Sequence, residues 1–132
     1  GLSTDITAQA TVSAAQGPQL SISKALTPTT VVDNGEITYT FVILNTGNEA
    51  AIATDNLSIT DTFEPILDIT AVNFNGTAWT EGTNYTYDET TGLFTTLPGQ
   101  ITVPAATYTQ DPTTGAYIIN PGTVTLTVTG TV

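Results

Sequence analysis

The dominant regularity of this chain is a period of two. In residues 5–14, DITAQATVSA, the apolar side chains Ile6, Ala8, Ala10, Val12 and Ala14 alternate with Thr7, Gln9, Thr11 and Ser13. Successive side chains of a β-strand point to opposite faces, so the stretch is written as a ribbon with one dry face and one wet face. The closing TVTLTVTGTV repeats the pattern, with Val124, Leu126, Val128 and Val132 on one side and Thr123, Thr125, Thr127, Thr129 and Thr131 on the other. It predicts a core strand with an outward threonine face. A threonine ladder can suggest ice binding, but threonine is also a good strand residue on a solvated face, and propensity favours that plainer explanation.

Between the two ends, further strands are predicted at 20–26, 36–45, 57–63, 68–74, 84–87, 93–96, 100–103, 107–110 and 117–119, ahead of the last at 123–132. No window of a dozen residues keeps apolar positions at helical spacing, so helix content is expected near nil. Many short strands separated by turns indicate an all-β sandwich. Asn34-Gly35 and Asn75-Gly76 supply the positive φ angles of tight hairpins. Asp88-Glu89-Thr90-Thr91-Gly92 and Asp111-Pro112-Thr113-Thr114-Gly115 echo each other as longer loops ending in a left-handed glycine. Gln16-Gly17-Pro18 separates the opening ribbon from the strand predicted at 20–26.

A length of 132 residues fits one domain that can bury a core without disulfides or metal. The chain has no Cys and no His, which excludes thiolate and imidazole chemistry, from zinc fingers to Ser-His nucleophile pairs. One Lys or Arg stands against 12 Asp and Glu, for a net charge of -11. Such a surface repels phosphate backbones and anionic lipid headgroups, so nucleic acid is excluded as a partner and membrane insertion is not expected. Only 10% of residues are charged and 39% are hydrophobic, which separates the chain from an acidic disordered tail. Nothing approaches the ~20 apolar residues of a spanning helix. Gly1 is expected to be a processed start, any export signal having been removed.

From about Leu20 onward the chain resembles the "conserved repeat" domain, domain of unknown function eleven, of large surface proteins of Gram-positive anaerobes and other prokaryotes. The resemblance is carried by LSISKALTP, GEITYTFVILNTGN, LSITDTF, TEGTNYTYDETTGLFTTLPGQITVPAATYTQDPTTG and the closing TVTLTVTGTV. It covers nearly all of residues 20–132. It implies an immunoglobulin-like β-sandwich used as a structural module outside the cell, and it implies no enzymatic activity and no cofactor. The expected organisation is an N-terminal donor-strand extension and linker over residues 1–17, followed by the sandwich over residues 18–132.

The opening ribbon has three fates open to it. It pads an edge of its own sandwich, belongs to an upstream repeat, or enters the sandwich of a neighbouring copy. In the third case the donor residues Ile6, Ala8, Ala10, Val12 and Ala14 face inward, and backbone hydrogen bonds contribute roughly 0.5 to 1.5 kcal/mol net each. Forward donation from copy to copy does not close, which makes a filament. The expectation is therefore a secreted or cell-surface fibre subunit whose partners are other copies of itself, with an adhesin or carbohydrate-binding repeat as the alternative.

The only cation points inward. In LSISKAL, Lys24 shares a face with Leu20, Ile22 and Leu26, while Asn45 continues the face of Ile37, Tyr39, Phe41 and Ile43, and Asp61 that of Leu57, Ile59 and Phe63. A buried ammonium is costly unless paired, and burial favours the neutral amine. A neutral lysine beside a carboxamide and a protonated acid can form an amide and release ammonia, and surface proteins of Gram-positive bacteria are known for such isopeptide crosslinks. The similar constellation here gives Lys24 as nucleophile, Asn45 as electrophile and Asp61 as proton shuttle. The alternative is a buried Lys24–Asp61 ion pair, with Asn45 serving the LNTGN turn.

The remaining candidates are weaker. Asn56, Asn75 and Asn84 fit the N-glycosylation pattern but are first of all turn residues. Asp33-Asn34-Gly35-Glu36 and Asp55-Asn56 offer oxygens without the spacing of a loop that wraps calcium, so no metal is expected. Trp79, Tyr85, Tyr87 and Phe94 cluster along the chain as a sugar-stacking surface or as core. No nucleophile and base set points to an enzyme, and no catalytic residue is assigned.

Overall fold

The computed structural model describes residues 11–13, 18–27 and 34–132. Most of its strands fall on the predicted runs. They are β1 (Thr11–Ser13), β2 (Leu20–Thr27), β3 (Glu36–Asn45), β4 (Ser58–Thr62), β5 (Asp68–Phe74), β6 (Thr77–Ala78), β7 (Tyr85–Asp88), β8 (Leu93–Thr96), β9 (Thr107–Gln110), β10 (Tyr117–Asn120) and β11 (Gly122–Thr131). Among the described residues the only helical turn is a 3-10 turn at Ala53–Asp55, which ends on Asn56 in the left-handed conformation. The chain is an all-β sandwich.

One face is a five-stranded antiparallel sheet in the order β2-β3-β11-β5-β6, the other a four-stranded sheet in the order β1-β4-β8-β7. The long strand β11 holds the first sheet together by pairing with β3 along its whole length and with β5 on its other side, where a bulge falls between Thr129 and Gly130. Alternation sets the packing. Ile37, Tyr39, Phe41 and Ile43 of β3 and Val124, Leu126 and Val128 of β11 are buried against Ile59, Phe63, Tyr87 and Phe94 of the opposing layer. Tyr39 stacks on Phe63 across the seam at 4.5 Å between ring centroids. The threonines of β11 face outward, where Thr129 shares a hydroxyl hydrogen bond with Thr38 at 3.1 Å.

The turns also match the sequence. Asn75 and Gly76, with φ of 49 and 84, close the hairpin between β5 and β6. The echoing loops are built alike. Asp88 accepts from the N–H groups of Thr90 and Thr91 at 2.8 and 3.3 Å, and Asp111 from those of Thr113 and Thr114 at 2.7 and 3.3 Å. Each ends in a glycine at positive φ, Gly92 at 81 and Gly115 at 75.

Two expectations differ in detail. Residues 100–103 do not form a ladder. Val103 makes an isolated bridge to Ala51, and the next residue, Pro104, has no N–H to donate. Strand β6, two exposed residues long, carries no apolar pattern that could have announced it. The hairpin of β9 and β10 forms a separate two-stranded sheet.

Candidate functional site

The three inward polar residues are all on core faces, but they are not one cluster. Lys24 lies opposite Phe41 in the β2–β3 register, and Asn45 lies opposite Leu20. Four residues of strand separate the two levels, about 13 Å at ~3.3 Å per residue. The geometry is that of the ion-pair alternative: register, not face, decides which groups meet, and Lys24 meets Asp61, not Asn45. Asn45 is fully committed elsewhere. Its amide donates to the carbonyls of Glu49 at 2.8 Å and Pro104 at 3.2 Å, and its oxygen accepts from the Gly47 N–H at 2.9 Å. It fixes the LNTGN turn and ties it to the segment entering β9.

Lys24 reaches across the sandwich from β2 to form an ion pair with Asp61 on β4, and both side chains are 3% exposed. The ammonium stands over the ring of Tyr39 at 4.4 Å from its centroid, with Phe63 and Phe41 at 5.5 and 5.8 Å. An aromatic box thus replaces part of the water that the cation lost. Burial raises the Asp61 carboxyl above its ordinary value, opposed by Lys24 and by the Thr62 N–H. The Tyr39 hydroxyl is buried with no hydrogen-bond partner among the described residues, and burial together with the Asp61 charge and Tyr87 pushes it up to about 12. Tyr39 is the member of this site that sequence alone missed, although it lies opposite Leu26, two residues from Lys24 on the same face. Chemically the arrangement is a sealed charge pair that fastens one sheet to the other.

Of the donor residues, Ile6, Ala8, Ala10 and Ala14 lie outside the described residues, and Val12 lies in β1. That strand pairs with β4 of its own chain, setting Thr11, Val12 and Ser13 opposite Thr60, Ile59 and Ser58. The described part of the ribbon is thus an edge strand of the sandwich from which residues 1–17 had been divided.

Among the glycosylation candidates, Asn56 is exposed, whereas the other two are engaged. Asn75 accepts from the Thr125 N–H at 2.9 Å, and Asn84 accepts from the Thr80 N–H at 2.9 Å while donating to Gln100 at 2.7 Å. Tyr85, Tyr87 and Phe94 are core residues and Trp79 stacks on Phe74 at 5.0 Å, so the sugar-stacking platform does not form. Tyr87 uses its hydroxyl to clamp both backbone groups of Leu67. Asp33 lies outside the described residues, among which no three acidic side chains gather in a cation site. No described helix is long and apolar enough to cross a membrane.

No family model, no curated protein and no solved structure matches this chain.

Proposed function

We propose that this chain is the structural subunit of an extracellular or cell-surface fibre, built on an immunoglobulin-like sandwich and joined head to tail by exchange of its N-terminal strand. The observation that carries the reading is the seat of β1. A three-residue strand lies at the edge of the four-stranded sheet, on β4, and the residues before it continue the same alternation. A seat that takes a chain's own strand takes the identical strand of a second copy with the same backbone bonds, which makes exchange a low-cost route to association. The resemblance to surface-protein repeats and the absence of Cys and His from the sequence support a structural role.

The absence of native cysteine allows a direct test. Ser13 and Ser58 are cross-strand partners, so a Ser13→Cys/Ser58→Cys variant reports whose strand occupies the seat. Oxidation at high protein concentration is expected to give a covalent ladder on a non-reducing gel. A crosslinked band at monomer mass alone, in preparations that contain fibres, would sink strand exchange.

A further inference from the structure

The outer strands of the two large sheets are β2 and β6 in one and β1 and β7 in the other. Three of these edges are blunt: β6 is two residues long, β1 three and β7 four, and β7 ends on Asp88. Short or charged edges resist pairing with other chains. The fourth is different. β2 runs for eight residues, LSISKALT, carries no Asp or Glu, and among the described residues pairs only with β3. The Gln19 carbonyl accepts from the Thr46 N–H at 2.9 Å, which fixes the phase of the β2–β3 ladder. Ser21, Ser23, Ala25 and Thr27 therefore spend their main-chain groups on β3, and Leu20, Ile22, Lys24 and Leu26 turn theirs to the open side. Exposure agrees. Lys24 as a whole is half-buried while its side chain is 3% exposed, so it is the main chain that solvent reaches.

Length and self-complementarity name the occupant. An uncharged edge of eight residues is matched by a strand of similar length, and β3, β11 and β5, the other long strands, have neighbours on both sides. What remains free is β2 of a second copy. Antiparallel pairing of β2 with itself keeps both dry faces on one side only when each residue meets one of its own parity. Three such registers lie near the middle of the strand. Lys24 opposite Lys24 sets like charges face to face. Ile22 opposite Ile22 brings Pro18 opposite Leu26, where the ladder needs an N–H that proline lacks. Ser23 opposite Ser23 has neither fault. It sets Ile22 opposite Lys24 and Leu20 opposite Leu26 as hydrogen-bonded pairs, with small Ser21 and Ala25 opposite each other on the outer face. Ser23 is also midway between Pro18 and Pro28, which bound the run in sequence. An inward charge blunts an edge when it is left unpaired, but Lys24 is neutralised by Asp61.

We propose that two copies pair antiparallel through their β2 edges, about a two-fold axis at Ser23, and so join their five-stranded sheets into one continuous sheet. Such a contact uses the same patch on both partners and closes at two. It goes beyond strand exchange, shares no residue with it and does not depend on it. Between fibres, the same contact ties one to its neighbour side by side.

Because the chain has no Cys, single cysteines in the full chain report the register. Ser21, Ser23 and Ala25 are exposed, so the substitutions leave the core alone. Ser23→Cys should oxidise to a disulfide-linked dimer, since a directly opposed pair that is not hydrogen-bonded lies within disulfide reach. Ala25→Cys alone should stay uncrosslinked under the same oxidation and should crosslink when mixed with Ser21→Cys. No dimer from Ser23→Cys, or equal crosslinking of Ser23→Cys and Ala25→Cys, would overturn the pairing. Sedimentation over a concentration series gives a second measurement without a covalent bond. Ser23→Glu and Ser23→Lys, with the wild-type circular dichroism, should each raise the concentration at which dimers form about threefold or more, because each sets like charges opposite each other. Their equimolar mixture should recover the dimer through Glu opposite Lys. Wild-type dimerisation by both variants, or a mixture no better than either alone, would count against a two-fold axis at Ser23. The Ser23→Cys dimer and the Ser13→Cys/Ser58→Cys ladder are measured on separate proteins, so either contact can fail while the other stands.

Discussion

At the scale of single residues, the Lys24–Asp61 pair determines how the core responds to substitution. Removing one partner of a buried pair leaves an uncompensated charge and costs about 3–5 kcal/mol, whereas replacing both with apolar groups of similar volume is often neutral. Lys24→Met should therefore lower stability by about that amount in urea denaturation at neutral pH, and Lys24→Met/Asp61→Leu should recover most of the loss. Acid should rescue the single variant. The Asp61 carboxyl is already raised by burial, and without Lys24 it rises further, so the folded state holds its proton more tightly than the unfolded chain. Stability of that variant should then be fullest below about pH 4 and fall as pH rises through the raised value. Because Asn45 is bound to the Glu49 and Pro104 carbonyls, the intact mass should equal that of the sequence. A deficit of one ammonia, or of one water from Lys24 and Asp61 themselves, would overturn the ion pair. Alternation made the inward direction of all three residues legible. It could not make their pairing legible, because a period of two fixes the face of a residue and leaves its level along the strand to the register.

At the scale of elements, what the chain declares best is its turns. Asp88 and Asp111 each hold two backbone N–H groups, which sets both carboxyls below their ordinary range. For a depressed acid, the stabilisation is present above the unfolded value and is lost as pH falls through the folded one. Asp88→Asn/Asp111→Asn should accordingly flatten the acid limb of the stability curve below about pH 4, measured by denaturation at stepped pH. Glycine marks a second kind of junction. A Cβ at Gly122 would meet the Pro104 carbonyl oxygen at 1.8 Å, where the chain leaves the hairpin to begin β11. Gly122→Ala should cost on the order of 2–4 kcal/mol and lower the melting midpoint, with a wild-type midpoint counting against so tight an approach. The 100–103 segment shows where pattern misleads. Ile101 and Val103 are both buried at strand spacing, yet the one bridge there is from Val103 to Ala51, so the alternation records burial against the core and not membership of a ladder.

At the scale of the whole molecule, two layers, a threonine-faced outer sheet and a near-absence of helix were written in the period-two runs. Which sheet each strand joins was not. The five-stranded sheet brings β2, β3, β11 and β5 side by side, and nothing in the local pattern of β11 says that its neighbours are β3 and β5. The fate of the opening ribbon was hidden for the same reason, since alternation specifies a dry face but not whose core supplies it. The most general consequence comes from the sealed lysine. It is the only Lys or Arg in the chain and its side chain is 3% exposed, so the folded protein offers a trypsin-like protease no residue to grip. Cleavage after Lys24 requires the edge strand β2 to lift off β3 and break the Lys24–Asp61 pair, and its rate under dilute protease should track the population of that opened form. A fibre made of such units would be invisible to that class of digestive enzyme for as long as its sandwiches stay shut.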